Sequence, residues 1–531
     1  MADDEQTDLS AGDAGREAAA LDAEATARDA ERAAPETDRA RGRARRAAVV
    51  GLRVVTGLAG TAVALAVIVA TGLLPLPSRS DAAPTTTVTP AAAPQLRVCP
   101  GALLHLGDTQ GRNAGSPSSL GAPRRRDGAT DAQVSASALG RSDADTGGTA
   151  SAPARLEIAG GGGLLAGAQS QSASTDDISG FAAAACVEPT GSSWLVGGAT
   201  TTGRTTLLTL ANPTAVDATV ALELYGEKGP VTAPGLSGIT VAAGSQRVLS
   251  LAGFAPDLAS PVVHVTARGG RVVASLQQST VRGLDPGGVD LIGAAADPAR
   301  QLRIPGVRVL GADAVAQALG REDWSDAIPT IRVANPGRAA AKVQVSLQPE
   351  SSDGTGTSFD LDVAAGHVRE VGLDSGVDVD TGALAIPDGE YTVVVTSDQP
   401  VVAAARISTA GKAPAAGVDA APASDFAWDA AAPVLRGPTL VSIAPGDDPR
   451  IAFAGATGGT VTLHGIGGAA DIRITVPAGG QASAAVTAGA SYDIEGADGM
   501  TASVGYAGAA ALSGFTIAPA RPVSGPLTIH P

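Results

Sequence analysis

Aromatic residues are scarce in this chain: 13 in 531, none before Phe181 and none after Phe515. A segment without Phe, Tyr or Trp lacks the largest sources of buried area, so its ordering entropy is hard to offset. On that ground residues 1–46 read as a disordered, Ala-rich acidic tail, and residues 99–189, free of aromatics up to Phe181, as a largely irregular segment rich in Gly, Ser and Asp. Lysine is almost missing, with three residues against 34 arginines, the balance that GC-rich codons of a high-GC bacterium produce. The formal net charge is −16, most of it carried beyond Arg53. So acidic an outer part excludes nucleic acid as a partner, because phosphate binding rests on dense Lys/Arg contacts.

Catalytic and metal-binding spacings are missing as well. Gly-x-Ser-x-Gly, His-Glu-x-x-His and Gly-x-x-x-x-Gly-Lys-Ser/Thr do not occur in a usable context. His105, His264, His367, His464 and His530 stand singly, none with a second His or Cys at ligand spacing. His264, between Val263 and Val265, falls on the polar face of a strand and reads as a surface histidine, not a general base. Asp360 and Asp362 share one strand face at period 2, a pattern that solvates an edge strand more readily than it builds a glycosidase pair. The acidic turns at Ser351–Gly354 and Pro387–Glu390 do not match a calcium loop. The run Gly160–Gly163 has no lysine after it and is a loop, not a phosphate cradle. These absences predict no catalytic residue, no cofactor and no metal, hence no enzyme.

What the chain does have begins at Val54. From there to Leu74 runs a charge-free apolar stretch, preceded by Arg39, Arg41, Arg43, Arg45 and Arg46. Twenty-one residues span about 31 Å as a helix, the thickness of a bilayer core. The arginines place the amino terminus in the cytoplasm and the bulk of the chain outside. A cleaved signal peptide would need an unusually long leading region, so residues 47–76 read as an uncleaved transmembrane signal anchor and residues 77–98 as a Pro/Thr/Ala stalk. Cys99 and Cys186 both lie on the outer side. An even count with no spare thiol there predicts a disulfide between them.

The remainder repeats itself. Leu207-Leu208-Thr209-Leu210-Ala211-Asn212-Pro213 returns as Thr330-Ile331-Arg332-Val333-Ala334-Asn335-Pro336, each followed by an alternating strand: Val220, Leu222 and Leu224, then Val343, Val345 and Leu347. Val241-Ala242-Ala243-Gly244 matches Val363-Ala364-Ala365-Gly366, and Val263-His264-Val265-Thr266 matches Val393-Val394-Val395-Thr396. A third copy without the Asn-Pro turn follows Ile451, and Ala497-Asp498-Gly499 in it predicts a hairpin. A helix is expected over Ala312 to Asp323. Trp194, Trp324 and Trp428, one near the start of each copy, read as plugs at sandwich ends or seams. The prediction is an all-β chain of three tandem Ig-like or fibronectin-like β-sandwich repeats after an N-terminal transmembrane helix and stalk. They cover residues 190–300, 301–420 (with a linker) and 421–531, the last degenerate.

The order of arginine cluster, single span, Val-Cys-Pro-Gly, distant Cys, Ser-Ser-Trp-Leu-Val-Gly-Gly and Thr-Leu-Ala-Asn-Pro resembles a family of uncharacterised actinobacterial membrane-anchored proteins, a domain of unknown function. The likeness covers roughly Leu96 to Thr409 and implies a location outside the membrane and β-rich folding, with no activity and no site residues. The expectation is thus a non-catalytic, membrane-tethered envelope protein whose sandwiches scaffold or bind an envelope protein or wall polymer. The alternative is an envelope enzyme acting on cell-wall glycan or peptide at a site between repeats.

Overall fold

A computed structural model of the protein describes residues 57–67, 69, 86–88, 94–107, 116–141, 151–159, 163–321, 323–351, 356–373, 386–412, 421–520 and 527–529. The chain divides into two compact units, Met1–Thr86 with Thr528–Pro531, and Thr87–Leu527. In the first, residues 57–67 are helical, with Leu58, Val63 and Leu65 exposed. Among the described residues no helix is long and apolar enough to cross a membrane. The rest of the expected span, the cytoplasmic tail and most of the stalk lie outside the described residues.

The second unit is all β apart from short helical turns. Its N-terminal module corrects the expectation of a largely irregular segment over 99–189. Two three-stranded sheets stand there. One joins β1 (Gln95–Val98), β3 (Ser135–Ala138) and β4 (Ala154–Ile158), with β4 central; the other joins β2 (Arg124–Ala129), β5 (Leu165–Ser174) and β6 (Ser179–Cys186), with β5 central. Composition hid them, because apart from Leu165, Phe181 and Cys186 the strands β5 and β6 are made of Ala, Gly, Ser and Gln. Such strands show neither β-branched enrichment nor period-2 alternation, yet Ala182, Ala183 and Ala184 are buried. The predicted disulfide closes here, Cys99 to Cys186, inside a small core with Leu156, Ile158 and Leu165.

Three two-sheet units follow. The first comprises β7 (Ser192–Val196), β8 (Arg204–Asn212), β9 (Ala218–Gly226), β10 (Ile239–Val241), β11 (Ser245–Ser250), β12 (Val262–Gly269), β13 (Val273–Arg282) and β14 (Asp285–Ile292). One sheet runs β7-β12-β9-β10 and the other β14-β13-β8-β11, all antiparallel. The second comprises β15 (Ala299–Val309), the helix α1 (Ala312–Ala318), β16 (Thr330–Ala334), β17 (Ala341–Pro349), β18 (Thr357–Val363), β19 (Val368–Gly372), β20 (Gly389–Ala410) and β21 (Ser424–Ala430). The third comprises β22 (Thr439–Ser442), β23 (Arg450–Ala454), β24 (Gly459–Ile466), β25 (Ile472–Val476), β26 (Gln481–Ala485), β27 (Ser491–Glu495), β28 (Thr501–Gly508) and β29 (Ala511–Thr516). Its sheets run β22-β27-β24-β25 and β26-β23-β28-β29, the strand order of the first unit.

The second unit differs in one way. Its 22-residue β20 passes from one sheet to the other, pairing β15 and β17 through its first half and β16 and β21 through its second. Each unit supplies most of one buried cluster from the inward positions of its sheets, and each cluster continues into a neighbour: the first takes in Phe426 and Trp428 of β21, the second Leu512 of β29 and the third Phe181 of β6. The alternation seen in sequence is real: Val220, Leu222 and Leu224 are buried between more exposed neighbours, as are Val343, Val345 and Leu347.

The recurring Asn-Pro has a physical reason. Asn212 Nδ2 donates to Val216 O (2.8 Å) and Val241 O (3.0 Å), while its Oδ1 accepts from Thr214 N (3.0 Å). Asn335 makes the same three bonds, to Ala339 O (2.7 Å), Val363 O (3.0 Å) and Gly337 N (3.0 Å). Both amides are fully buried. Each ties the turn it begins to the end of the strand that carries the Val-Ala-Ala-Gly signal, so the two sequence repeats are the two ends of one joint. The turn at Ala497-Asp498-Gly499 is not a hairpin: β27 and β28 belong to different sheets, and the chain crosses the sandwich there. The expected helix is shorter, ending at Ala318 ahead of Gly320.

Candidate functional site

The last strand of each module is an edge strand of its own sheet: β6, β14, β21 and β29. The four pack side by side in the ring order β6-β14-β21-β29. Burying four edges would orphan their N–H groups, at a cost of about 1–3 kcal/mol each. Side chains from within the ring take up five of these donors. Asp425 on β21 accepts from Phe181 N of β6 (2.8 Å), Val289 N of β14 (3.1 Å) and Leu512 N of β29 (3.1 Å), so one carboxyl group touches all three other modules. Asp290 on β14 accepts from Trp428 N (2.7 Å) and Ser513 Oγ (2.8 Å), and Ser513 Oγ accepts from Ala183 N (2.8 Å). The fit requires glycine. A Cβ at Gly180 or Gly288, both at positive φ, would stand 2.5 or 2.9 Å from Asp425 Oδ1.

Burial raises all three aspartates at this centre. Asp425 goes well above the ordinary carboxyl range, against the lowering pull of its N–H donors. Burial pushes Asp290 up to about 7, and burial together with the charge of Asp290 pushes Asp429 up to about 8.

Arginines seal the seams between modules. Arg332, buried on β16, pairs with Glu370 and donates to Gly198 O (2.9 Å), Pro261 O (2.9 Å) and Ala259 O (3.2 Å) of the first sandwich, with its guanidinium 4.4 Å from the Trp428 ring centre. Asp326 holds Arg204 (3.1 Å), Arg282 (2.9 Å) and Arg406 (3.0 Å). Burial alone would raise Asp326; the three cations outweigh it and hold the carboxyl far below its usual range. Trp324 lies under Arg282, so two of the three tryptophans are seam residues, as expected.

At one mouth of the strand ring lies a partly open cleft of about 220 Å3 with walls from all four modules. Ala184, Ala274, Leu291, Phe515 and Trp428 make it largely apolar, and Arg97 and Glu188 (3.5 Å apart) mark one side. Ser192 stands at its rim. Ser192 Oγ is 2.9 Å from His264 Nε2, and His264 Nδ1 is 2.9 Å from Glu223 Oε2. Trp194 stacks on the imidazole with centroids 4.1 Å apart and planes 6° apart, fixing the ring. Strand register builds the cluster: Trp194 and Glu223 are the cross-strand partners of His264, and Ser192 lies two residues from Trp194 on the same face.

The model of a family of unknown function, DUF5719, matches residues 142–504. The chain belongs to this family. No curated protein matches it. A solved structure, the crystal structure of Thermotoga maritima 1070, is similar over 26% of this chain and 95% of that one, at 15% identity and a TM-score of 0.18. That score carries no argument.

DUF5719 membership assigns no site, so the remaining candidates rest on geometry. His105 meets Asp177 (2.9 Å), and His367 Nδ1 lies 2.8 Å from Ala365 O. His464 sits between Asp471 (3.2 Å) and Glu495 (3.0 Å), whose hydrogen bonds raise its pKa. His530 lies outside the described residues. Asp360 and Asp362 are exposed on β18, opposite Gln344 and Lys342. Among the described residues no three His, Cys, Asp or Glu side chains group as metal ligands. The structure thus brings His264 together with two residues that sequence reasoning passed over. The signal that could have found them was alternation: Glu223 lies between the inward Leu222 and Leu224, so Glu223 and His264 both face outward.

Proposed function

We propose that this protein is a membrane-tethered envelope scaffold with a cytoplasmic amino terminus, whose extracytoplasmic part binds an envelope protein or wall polymer. In this reading the three two-sheet units are copies of one Ig-like or fibronectin-like sandwich. The matching strand orders and the twin Asn-Pro joints support that descent. The disulfide supports an oxidising compartment, and the charge-free run after the arginine cluster supports the anchor.

One observation carries the scaffold reading. Asp425 ties four modules at a single carboxyl group, so their outer faces and the junction cleft hold fixed relative positions, as a presentation surface requires. The test is affinity capture by the purified outer part from membrane and wall fractions. Recovery of one stoichiometric partner, lost when Ala185→Trp fills the cleft, supports the reading; no partner from either fraction refutes it. Protease added to intact protoplasts should remove the sandwiches and spare a membrane-bound fragment, whereas mature protein free in the medium would refute the anchor. The second reading, an envelope enzyme with a site between modules, is favoured by the Ser192–His264–Glu223 geometry beside the cleft.

A further inference from the structure

We propose that Ser192, His264 and Glu223 form an acyl-transfer centre that hydrolyses carboxylic esters, with the acyl chain in the junction cleft. This goes beyond the scaffold reading and stands or falls without it. The geometry has the three features a serine nucleophile needs. First, the distances of 2.9 and 2.9 Å link hydroxyl, imidazole and carboxylate in that order. A carboxylate at Nδ1 takes the N–H of the neutral ring and leaves Nε2 free to accept the serine proton. Secondly, the ring cannot turn away, because Trp194 is stacked on it and is itself buried. Thirdly, substrate can reach the hydroxyl: Ser192 is exposed at the rim of the cleft, on an edge strand.

The register adds an oxyanion donor. Ala267 N donates to Gly191 O, so residues 191 and 193 face β12 and the Ser192 N–H points to the opposite edge of β7, the edge on which Ala295 N meets Trp194 O and where Ala294 and Ala295 line the cleft. The step balances as follows. Ser192 Oγ attacks the ester carbonyl carbon while its proton passes to His264 Nε2. The tetrahedral oxyanion sits against the Ser192 N–H. It collapses by breaking the carbonyl–alkoxy bond, and the leaving alcohol takes the proton from Nε2. Water then attacks the acyl-serine, giving its proton to His264, and Ser192 recovers it as the carboxylic acid leaves. Glu223 is the positioning residue. The apolar wall suits an acyl chain: Ala184, Ala274, Ala294, Leu291 and Phe515 offer it contacts, while the charged residues of the lining, Arg97 and Glu188, are paired with each other at one side, with Asp297 also on the lining.

The experiment uses the full chain. It is incubated with a fluorophosphonate probe and, separately, with p-nitrophenyl acetate and hexanoate. Labelling should fall on the peptide containing Ser192, and S192A should lose the label and about a hundred-fold or more of turnover. E223Q should lower kcat with KM little changed, the mark of a positioning role. Ala294→Trp should depress hexanoate turnover well below acetate turnover, because it fills the acyl cleft. Each variant is checked for an unchanged melting transition. A folded wild type that neither labels nor turns over either ester overturns the proposal, as does S192A retaining wild-type turnover. Equal loss of both esters in Ala294→Trp overturns the acyl assignment.

Discussion

Replacing Asn335 by alanine should cost the second sandwich roughly 3–5 kcal/mol. The side chain is fully buried and makes three hydrogen bonds. Val363 O lies in a buried strand end that water does not reach, so orphaning it costs about 1–3 kcal/mol. Ala339 O is exposed and Gly337 N partly so; those bonds are replaced by water at about 1 kcal/mol each. The amide volume left empty adds a smaller amount, since relaxation of the turn can close part of it.

The assay is urea unfolding followed by hydrogen exchange of the amides of β17 and β18, which separates loss in this sandwich from loss elsewhere. Asn335→Asp sharpens the reasoning. It keeps an acceptor for Gly337 N but sets a carboxylate against two carbonyl oxygens, so it should be at least as damaging as alanine. The equivalent Asn212→Ala should show the same loss in the first sandwich. If Asn335→Ala costs under about 1 kcal/mol, the joint is not what the repeated Asn-Pro encodes, and the argument from the matched bonds fails.

Three further outcomes follow from the buried polar groups. Asp290 and Asp429, pushed up by burial to about 7 and about 8 from an ordinary value near 3.8, hold protons more tightly folded than unfolded. Their contribution is therefore complete below pH 4 and lost as pH rises through 7 to 8; the melting temperature should fall between pH 5 and 8, and Asp429→Asn should flatten that slope. Arg332→Ala should cost about 3–5 kcal/mol, because it leaves Glu370 without its cation, held by Ser260 Oγ alone, and three carbonyls of the neighbouring unit without their donor, and limited proteolysis should then cut between the first two units. Cys186→Ser releases an 87-residue loop, worth about 4–5 kcal/mol of unfolded-chain entropy, and should raise exchange in β6 before any other strand of the ring.

How much of this was legible depended on which force encoded it. Alternation of β-branched residues is local and periodic, so β9, β17 and their partners stood out, as did the pairing of two lone cysteines. The N-terminal module was missed because, Leu165 and Phe181 apart, β5 and β6 bury alanine and glycine, residues that carry no strand signal. The hairpin error at Asp498 has a related origin, since a turn signal marks where the chain reverses but not which sheet receives it. His264 looked solitary because Glu223 and Ser192 are 41 and 72 residues away and meet it only through strand register. Nothing in a single sequence states that register.

The same limit explains why the aspartates could not be foreseen. An aspartate in a strand ordinarily advertises a solvated edge, and Asp425 does sit on an edge strand. Its edge, however, faces three others. The four strands from four modules pack side by side without pairing into a common ladder. A carboxyl group can accept from donors that lie in different planes, which a backbone carbonyl held in a sheet cannot. Asp425 and Asp290 therefore do what ladder bonds do elsewhere, between strands of different modules. The cost is three buried acids, and the gain is a single junction shared by all four edges. The family match begins at residue 142, inside the N-terminal module, and so takes in β6 as well as β14 and β21. Cutting the chain ahead of β7 would take the Phe181 and Ala183 donors away from Asp425 and Ser513, and the remaining units would lose the fourth strand of the ring that shapes both the cleft and the rim on which Ser192 stands.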